Sequence, residues 1–114
     1  MFKRGNIHLA KLYPSKGHEV GKSRPVLILQ TDLLNVINHT TVIILPLTTS
    51  LVKNAYPLRY DIQARDNLHK DSQILCDQIR SIDINRIDTP ILTSLTQKEL
   101  LEIEQRVGII LDFS

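Results

Sequence analysis

The side chains best suited to chemistry on a phosphate group lie in one short segment of this 114-residue chain. Lys16, Lys22 and Arg24 supply positive charge, and His18 lies between them. A guanidinium presents a rigid fork of donors that matches phosphoryl oxygens, and an imidazole can carry a proton near neutral pH. On spacing alone, however, the better interpretation of Arg24 is an ion pair with Glu19 or with an acid of a later strand. The segment therefore suggests phosphate chemistry without establishing it.

Other kinds of reactive site find little support in the sequence. The chain has a single cysteine, Cys76, which cannot form an intramolecular disulfide, and no Cys/His set has the spacing of a zinc site. No group of carboxylates suits Mg²⁺ either. We therefore expect no metal and no cofactor, and we interpret Cys76 as a small buried hydrophobic residue.

The amino-terminal residues lack the apolar stretch of a signal peptide, and no run approaches the roughly 18 apolar residues of a membrane helix. These features predict a soluble, cytoplasmic protein with no membrane partner.

The net charge of +2 conceals an uneven distribution. Residues 1–60 contain eight Lys and Arg against two acids, whereas residues 61–114 contain six against ten. This pattern indicates either a basic face that binds a polyanion or a solvated surface with chance clustering.

The elements that must position these residues are mostly strands. Short apolar runs and alternating patterns predict strands over 6–12, 25–29, 41–45, 58–64 and 72–82. In the last of these, Ile74, Cys76, Gln78, Arg80 and Ile82 would share one face. The intervening residues 13–23 and 48–57 are expected to form long exposed loops, which in so short a chain are often functional.

Two helices complete the expected architecture. Thr96 and Glu99 form a capping-box pattern, after which Leu100, Ile103, Val107 and Ile110 recur at helical spacing. A second, short helix is predicted over 32–38. The length fits one domain, and the elements together favour a small, partly closed antiparallel barrel with helices attached.

Four segments, read in order, resemble the MazF/PemK toxins of type II toxin-antitoxin systems. They are Lys3-Arg4-Gly5-Asn6-Ile7, the segment 17–27 that runs from Gly17-His18-Glu19 into Arg24-Pro25-Val26-Leu27, Pro46-Leu47-Thr48-Thr49-Ser50, and the segment 71–83 that contains Asp77-Gln78-Ile79-Arg80. The resemblance covers nearly the whole chain, 1–114, as one toxin domain. It implies a mainly β fold, the SH3-like antiparallel barrel that these toxins share with the CcdB gyrase poisons, with a C-terminal helix.

The resemblance also implies an activity, that of a metal-independent and sequence-selective endoribonuclease (mRNA interferase) that cuts single-stranded RNA and arrests translation and growth. The class of RNA that is cut in cells stays open. The ribose 2′-hydroxyl would attack the neighbouring phosphorus, leaving a 2′,3′-cyclic phosphate and a 5′-hydroxyl end. Arg24 and Thr48 occupy the positions of the catalytic residues. Arginine is a poor base at neutral pH, so His18 is an alternative proton carrier.

Partners and binding residues follow from the same resemblance. It implies a homodimer with RNA along its groove, and a cognate antitoxin whose acidic, disordered C-terminal segment covers the site. The candidate RNA-binding residues lie in the two loops and the late strand: Lys16, His18, Glu19, Lys22, Thr49, Ser50, Lys53, Asp77 and Gln78. Asp77 and Gln78 are expected to reach the bases from the floor of the groove.

Two positions depart from the family pattern. Asn6 replaces the usual aspartate, which removes a negative charge expected near the site, and His8 replaces a common aromatic residue.

Two other functions remain open on the sequence alone. A CcdB-like inhibitor of DNA gyrase would share the fold, although those proteins have a Trp near the C-terminus and this chain has none. A catalytically silent RNA-binding member would keep the basic groove without cleaving RNA.

Overall fold

The computed structural model describes residues 1–12 and 22–113. Within these ranges the chain forms seven strands, two α-helices and one short 3-10 turn. The strands are β1 (Asn6–Lys11), β2 (Ser23–Ile28), β3 (Thr41–Thr48), β4 (Arg59–Ile62), β5 (Ser72–Leu75), β6 (Arg80–Asp83) and β7 (Ile87–Ser94); the helices are α1 (Asp32–Asn35) and α2 (Gln97–Ile110), and the 3-10 turn is Ile84–Arg86.

The strands form one antiparallel sheet in the order β4-β5-β3-β2-β1-β7, and β6 pairs with the first half of β3. The sheet curls, so that Ile82 of β6 and Ile87 of β7 meet in one apolar cluster although no ladder joins these two strands in the described structure. The fold is therefore mainly antiparallel β with a C-terminal helix, as the sequence predicted, and the barrel is only partly closed.

Both faces of the central strands are buried. Leu27, Leu45 and Leu47 pack with Ile103 of α2 on one side of the sheet, which we call the helix face. Residues of the other parity, Val26 and Ile28 of β2 and Val42 and Ile44 of β3, pack on the opposite side, which we call the inner face. Burial on both sides explains why these strands are continuous apolar runs in the sequence.

The prediction for α2 is confirmed in detail. The Thr96 hydroxyl accepts a hydrogen bond from the backbone N–H of Glu99 at 3.1 Å, and the Glu99 carboxylate accepts one from the backbone N–H of Thr96 at 2.8 Å. Ile103 is fully buried, and Val107 and Ile110 pack against the same cluster. The capping box therefore starts the helix, and its apolar stripe holds it on the sheet.

The single strand predicted over 72–82 is wrong, because a turn divides it into β5 and β6. Leu47 faces Ile74 whereas Ile44 faces Arg80, so a step of three residues along β3 corresponds to six along the other segment. The extra residues form the turn beside Pro46 of β3, which has no N–H to donate to a ladder. The interruption changes the side-chain parity, so Ile74 packs on the helix face and Ile82 on the inner face.

Other element predictions differ at their edges. Strand β7 was not predicted, and α1 is shorter than the predicted helix over 32–38. The loop predicted over 13–23 falls mostly on residues 13–21, which lie outside the described residues. The loop after β3 is confirmed, because residues 49–58 belong to no strand or helix.

The amino-terminal motif has a structural role. Gly5 adopts a φ of 95°, and a Cβ there would lie 2.9 Å from Cδ1 of Leu100 on α2. Arg4 donates from its backbone N–H to Asp32 at 2.8 Å and forms a 2.7 Å ion pair with Glu104. The motif thus ties the chain start to both helices.

None of the helices in the described parts of the chain is long and apolar enough to cross a membrane.

Candidate functional site

Arg24 and Thr48 lie at adjacent strand ends on the same side of the sheet. In the ladder between β2 and β3, Val26 faces Pro46, and continuing that register by two residues sets Arg24 opposite Thr48. Side chains alternate between the two faces of a strand. Arg24 lies two residues before Val26 and Thr48 lies four after Ile44, so both belong to the inner face. The ladder between β2 and β3 ends at Val26, so the two strand ends are neighbours without a ladder between them.

Polar residues of β5 and β4 extend this pair across the sheet. Thr48 faces Gln73, and Gln73 faces Asp61. Arg24, Thr48, Gln73 and Asp61 therefore form a polar row across four strands, in line with the inner face but beyond its apolar cluster.

The Thr48 hydroxyl is held in place. Its oxygen accepts a hydrogen bond from the backbone N–H of Ser50 at 3.1 Å, and the residue is half-buried. This bond leaves the hydroxyl proton available to donate, and a phosphoryl oxygen is a suitable acceptor. Arg24, Thr49 and Ser50 are exposed, so a polyanion can reach them from solvent.

Gln73 fastens the loop after Thr48 to the sheet. Its amide oxygen accepts from the Val52 N–H at 3.1 Å while its amide nitrogen donates to the Val52 carbonyl at 2.9 Å. The same amide donates to Asp61 at 2.8 Å and accepts from Arg59 at 2.9 Å, and Arg59 also donates to the Ser50 carbonyl at 2.8 Å. We call this set the loop clamp. Sequence reasoning missed it.

Two further arginines meet at the end of β1. Arg80 and Arg86 both donate to the Leu12 carbonyl, at 3.3 Å and 3.4 Å. Leu12 is the last described residue before the gap at 13–21, so these guanidiniums lie where the first long loop begins. Arg80 belongs to a segment that carried the family resemblance, and that motif was the signal by which it could have been singled out.

The candidate residues of the first loop are only partly placed. Lys16, His18 and Glu19 lie outside the described residues, so neither the role of His18 nor an ion pair between Arg24 and Glu19 is tested. Lys22 is exposed just before β2. In the described part of the chain, no carboxylate forms an ion pair with Arg24.

Asp77 and Gln78 lie on an exposed turn and not on a strand. The Gln78 N–H donates to the Leu75 carbonyl at 3.1 Å, which closes the turn between β5 and β6. The strand expected to carry them is interrupted there, and contact of these two residues with bases stays a prediction. Lys53 is exposed in the loop that the clamp holds.

The two departures from the family pattern are structural. Asn6 accepts a hydrogen bond from the Ser94 hydroxyl at 2.7 Å, at the opposite end of β1 from Ala10, which faces Arg24. The expectation that the change at Asn6 removes a charge near the site stays a prediction. His8 is buried, and its Nδ1 donates to the Asp88 carbonyl at 2.9 Å.

Cys76 is buried, and burial raises the pKa of its thiol to about 11. The thiol is therefore protonated at neutral pH. The burial agrees with the interpretation of Cys76 as a small buried hydrophobic residue. Within residues 1–12 and 22–113, no group of three or more His, Cys, Asp or Glu side chains could hold a metal ion.

Comparisons with known proteins identify the family of this chain. Residues 3–111 match the family model of the PemK-like, MazF-like toxins of type II toxin-antitoxin systems. The chain is 38% identical over 110 residues to the endoribonuclease MazF of Staphylococcus saprophyticus, covering 96% of this chain and 90% of that one. It is 37% identical, with the same coverage, to the endoribonuclease MazF of Staphylococcus epidermidis.

A solved structure of MazE-MazF from Deinococcus radiodurans shares the fold. Its TM-score is 0.78 at 22% identity, covering 98% of this chain and 97% of that one. The family match over nearly the whole length, the identity to the staphylococcal proteins and the shared fold lead to one conclusion: this chain belongs to the PemK-like, MazF-like family of type II toxin-antitoxin toxins.

Proposed function

We propose that this chain is the toxin of a toxin-antitoxin pair and cleaves single-stranded RNA at selected sequences without a metal ion. The observation that carries the proposal is the placement of Arg24 and Thr48 at adjacent strand ends, on an accessible polar row. The staphylococcal relatives are named endoribonucleases, which supports the same reaction here.

In this reaction the 2′-hydroxyl of one ribose attacks the adjacent phosphorus, and the bond to the 5′-oxygen of the next nucleotide breaks. Negative charge accumulates on the phosphoryl oxygens as the bond forms. Arg24 is exposed and can turn its fork of donors toward these oxygens, and Thr48 can add its hydroxyl hydrogen. The products are a 2′,3′-cyclic phosphate and a 5′-hydroxyl end.

Two proton transfers accompany the cleavage, one from the 2′-hydroxyl and one to the leaving 5′-oxygen. A guanidinium with a pKa above about 12 is a weak base at neutral pH. We therefore assign charge stabilisation to Arg24, and we keep His18 as the candidate for proton transfer.

The partners follow from the same proposal. The active form is a homodimer in the cytoplasm, and its antitoxin presents an acidic disordered segment that covers the polar row. Two exposed lysines beside the row, Lys22 and Lys53, supply complementary charge. The MazE-MazF structure from Deinococcus radiodurans supports a paired toxin and antitoxin.

The test is cleavage of a long single-stranded RNA by the purified protein in EDTA, with both ends of every fragment mapped. We expect discrete cuts with 5′-hydroxyl ends. Arg24→Ala should lower kcat by about 10²- to 10³-fold, which is typical of losing a transition-state charge contact. Thr48→Ala should also lower kcat, because the phosphate loses a hydroxyl donor.

Matched controls are Lys98→Ala for the charge and Thr40→Ala for the hydroxyl, since both residues are exposed and away from the polar row. Both controls should cut like the unmodified protein. Unchanged cleavage by the Arg24 and Thr48 variants would disprove the site. Absence of any cleavage by the unmodified protein would disprove the activity and favour gyrase inhibition or silent RNA binding.

A further inference from the structure

A cavity of about 650 Å³ opens beside the loop clamp, and the proposed cleavage step does not use it. Residues 51–56 of the loop form one wall, and the rest is formed by residues in and next to β4 and β5, together with Arg106 of α2. Its volume falls in the range of about 300–1,000 Å³ that is typical of small-molecule sites. The cavity is therefore large enough for one nucleotide.

Tyr56 is the aromatic residue on this wall, and it is 67% exposed. The guanidinium carbon of Arg106 lies 5.0 Å from the Tyr56 ring centroid and 4.6 Å from that of the buried Tyr60. Arg106 also donates to the Arg59 carbonyl at 3.0 Å, which fixes its position. One face of the Tyr56 ring therefore contacts the Arg106 guanidinium, while much of the ring remains exposed to solvent.

An exposed tyrosine normally loses side-chain freedom when it binds a partner, and this loss weakens binding. Here the ring is already restrained by Arg106, and the loop that carries it is fastened by Gln73 through the Val52 backbone. The aromatic surface is therefore organised before any ligand arrives.

The cavity and the proposed cleavage site share a neighbour, Gln73. Gln73 lines the cavity and is also the cross-strand neighbour of Thr48. Opposite strand neighbours lie about 5 Å apart, so Gln73 and the cavity that it lines are close to Thr48. A strand with its scissile phosphate at Thr48 can therefore place an adjacent nucleotide in the cavity.

The charges that line the cavity suit a nucleotide. Three cations, Lys53, Arg59 and Arg106, face two acids, Asp61 and Asp71. The cationic excess favours a phosphate, and an exposed carboxylate such as Asp61 can accept from the amino group of a base.

We propose that this cavity is a nucleotide subsite in which one base of the RNA strand, next to the scissile phosphate, stacks on Tyr56. The inference rests on the proposed ribonuclease function, and it adds a residue that determines binding and sequence preference. Every base has an aromatic face, so Tyr56 contributes affinity, and Asp61 contributes a preference for bases with an amino group.

The test uses an RNA oligonucleotide that contains a mapped cleavage site and a 2′-deoxyribose at the attacking position, so that it binds without being cut. Tyr56→Ala should raise its Kd by about 5- to 150-fold, the range seen when one base loses its stacking partner. Tyr56→Phe keeps the ring and should bind within about threefold of the unmodified protein. Leu58→Ala, an exposed apolar change in the same loop, is the matched control.

Oligonucleotides with a single abasic position on either side of the scissile phosphate identify the stacked base. At one of these positions the abasic change should weaken binding to the unmodified protein but should not weaken binding to Tyr56→Ala further. Equal Kd values for Tyr56→Ala and the unmodified protein, or independent losses at every position, would overturn the subsite while cleavage persists. If the unmodified protein neither binds nor cuts RNA, both this inference and the proposed function fail.

Discussion

His8 carries a polar atom that the fold leaves without a partner. Its Nδ1 donates to the Asp88 carbonyl, so in the neutral ring Nε2 is the acceptor, and this atom is buried with no hydrogen-bond partner within the described chain. The ring packs edge-on against Phe2 at 4.9 Å. Protonation would place a second N–H and a positive charge in this apolar setting. The positive charge of the amino terminus also disfavours the protonated ring. Burial therefore lowers the pKa of His8 below 6.5.

A pH dependence of stability follows from this shift. Because the folded pKa lies below the unfolded value of 6.5, the unfolded chain takes up a proton first as the pH falls. The stabilisation from neutral His8 is complete above about pH 7 and decreases as the pH drops from 6.5 toward the folded pKa. The free energy of unfolding, measured with denaturant at several pH values between 4.5 and 8, should depend less steeply on pH for His8→Phe than for the unmodified protein. His39→Gln is the exposed control. Parallel curves for His8→Phe and the unmodified protein would contradict this account.

Single residues differ in how far the sequence could identify them. Arg24 and Thr48 were found because each lies in a recognisable motif, and the register then brought them to neighbouring strand ends. Gln73 was missed because a glutamine in a strand has no pattern of its own. Its partners Asp61 and Val52 lie 12 and 21 residues away, so only the folded sheet brings them together.

At the level of elements, patterns that depend on local physics were predictable. The capping box and apolar spacing of α2 are contacts within a few residues, and both are confirmed. Strand β7 was missed because it is a mostly exposed edge strand that contains Pro90, and its pairing with β1 has register shifts. The break between β5 and β6 is visible only in their registers with the distant strand β3, so alternation within the segment could not reveal it.

The loop clamp gives a prediction for the element that it holds. Gln73→Leu removes four hydrogen bonds and leaves the Val52 backbone without its partner, so we expect a loss of about 1–3 kcal/mol in the free energy of unfolding. The loop after Thr48 should also loosen. Hydrogen exchange at the Val52 N–H should then become faster, and KM for RNA should rise.

The matched control is Gln63→Leu, an exposed glutamine on the same cavity wall. For KM the control is Gln97→Leu, an exposed glutamine at the start of α2 and away from the cavity. Gln63→Leu should leave the stability and the exchange rate at Val52 unchanged, and Gln97→Leu should leave KM unchanged. Slow exchange at Val52 in Gln73→Leu would show that the loop is held by other contacts.

At the scale of the whole molecule, the charge pattern seen along the sequence is not the one seen in space. The C-terminal half is acidic overall, yet Arg80, Arg86 and Arg106 come from it and lie beside residues of the N-terminal half. The basic surface is therefore built from both halves, because the sheet interleaves early and late strands. Dividing a sequence into halves cannot reveal such a surface.

This arrangement predicts which lysines set the salt dependence of RNA binding. Each phosphate contact on a single strand contributes about 0.7 to the slope of log K against log salt, through release of bound counterions. Lys22 and Lys53 are exposed beside the polar row, so changing each to Gln should reduce the magnitude of the slope by about 0.7. Lys3→Gln and Lys98→Gln remove the same charge from exposed positions elsewhere, and they should change the slope much less. Binding of the uncut oligonucleotide between 50 and 300 mM salt, measured by fluorescence anisotropy, separates these outcomes. Equal slope changes for all four variants would mean that net charge, and not a basic surface at the polar row, attracts the RNA.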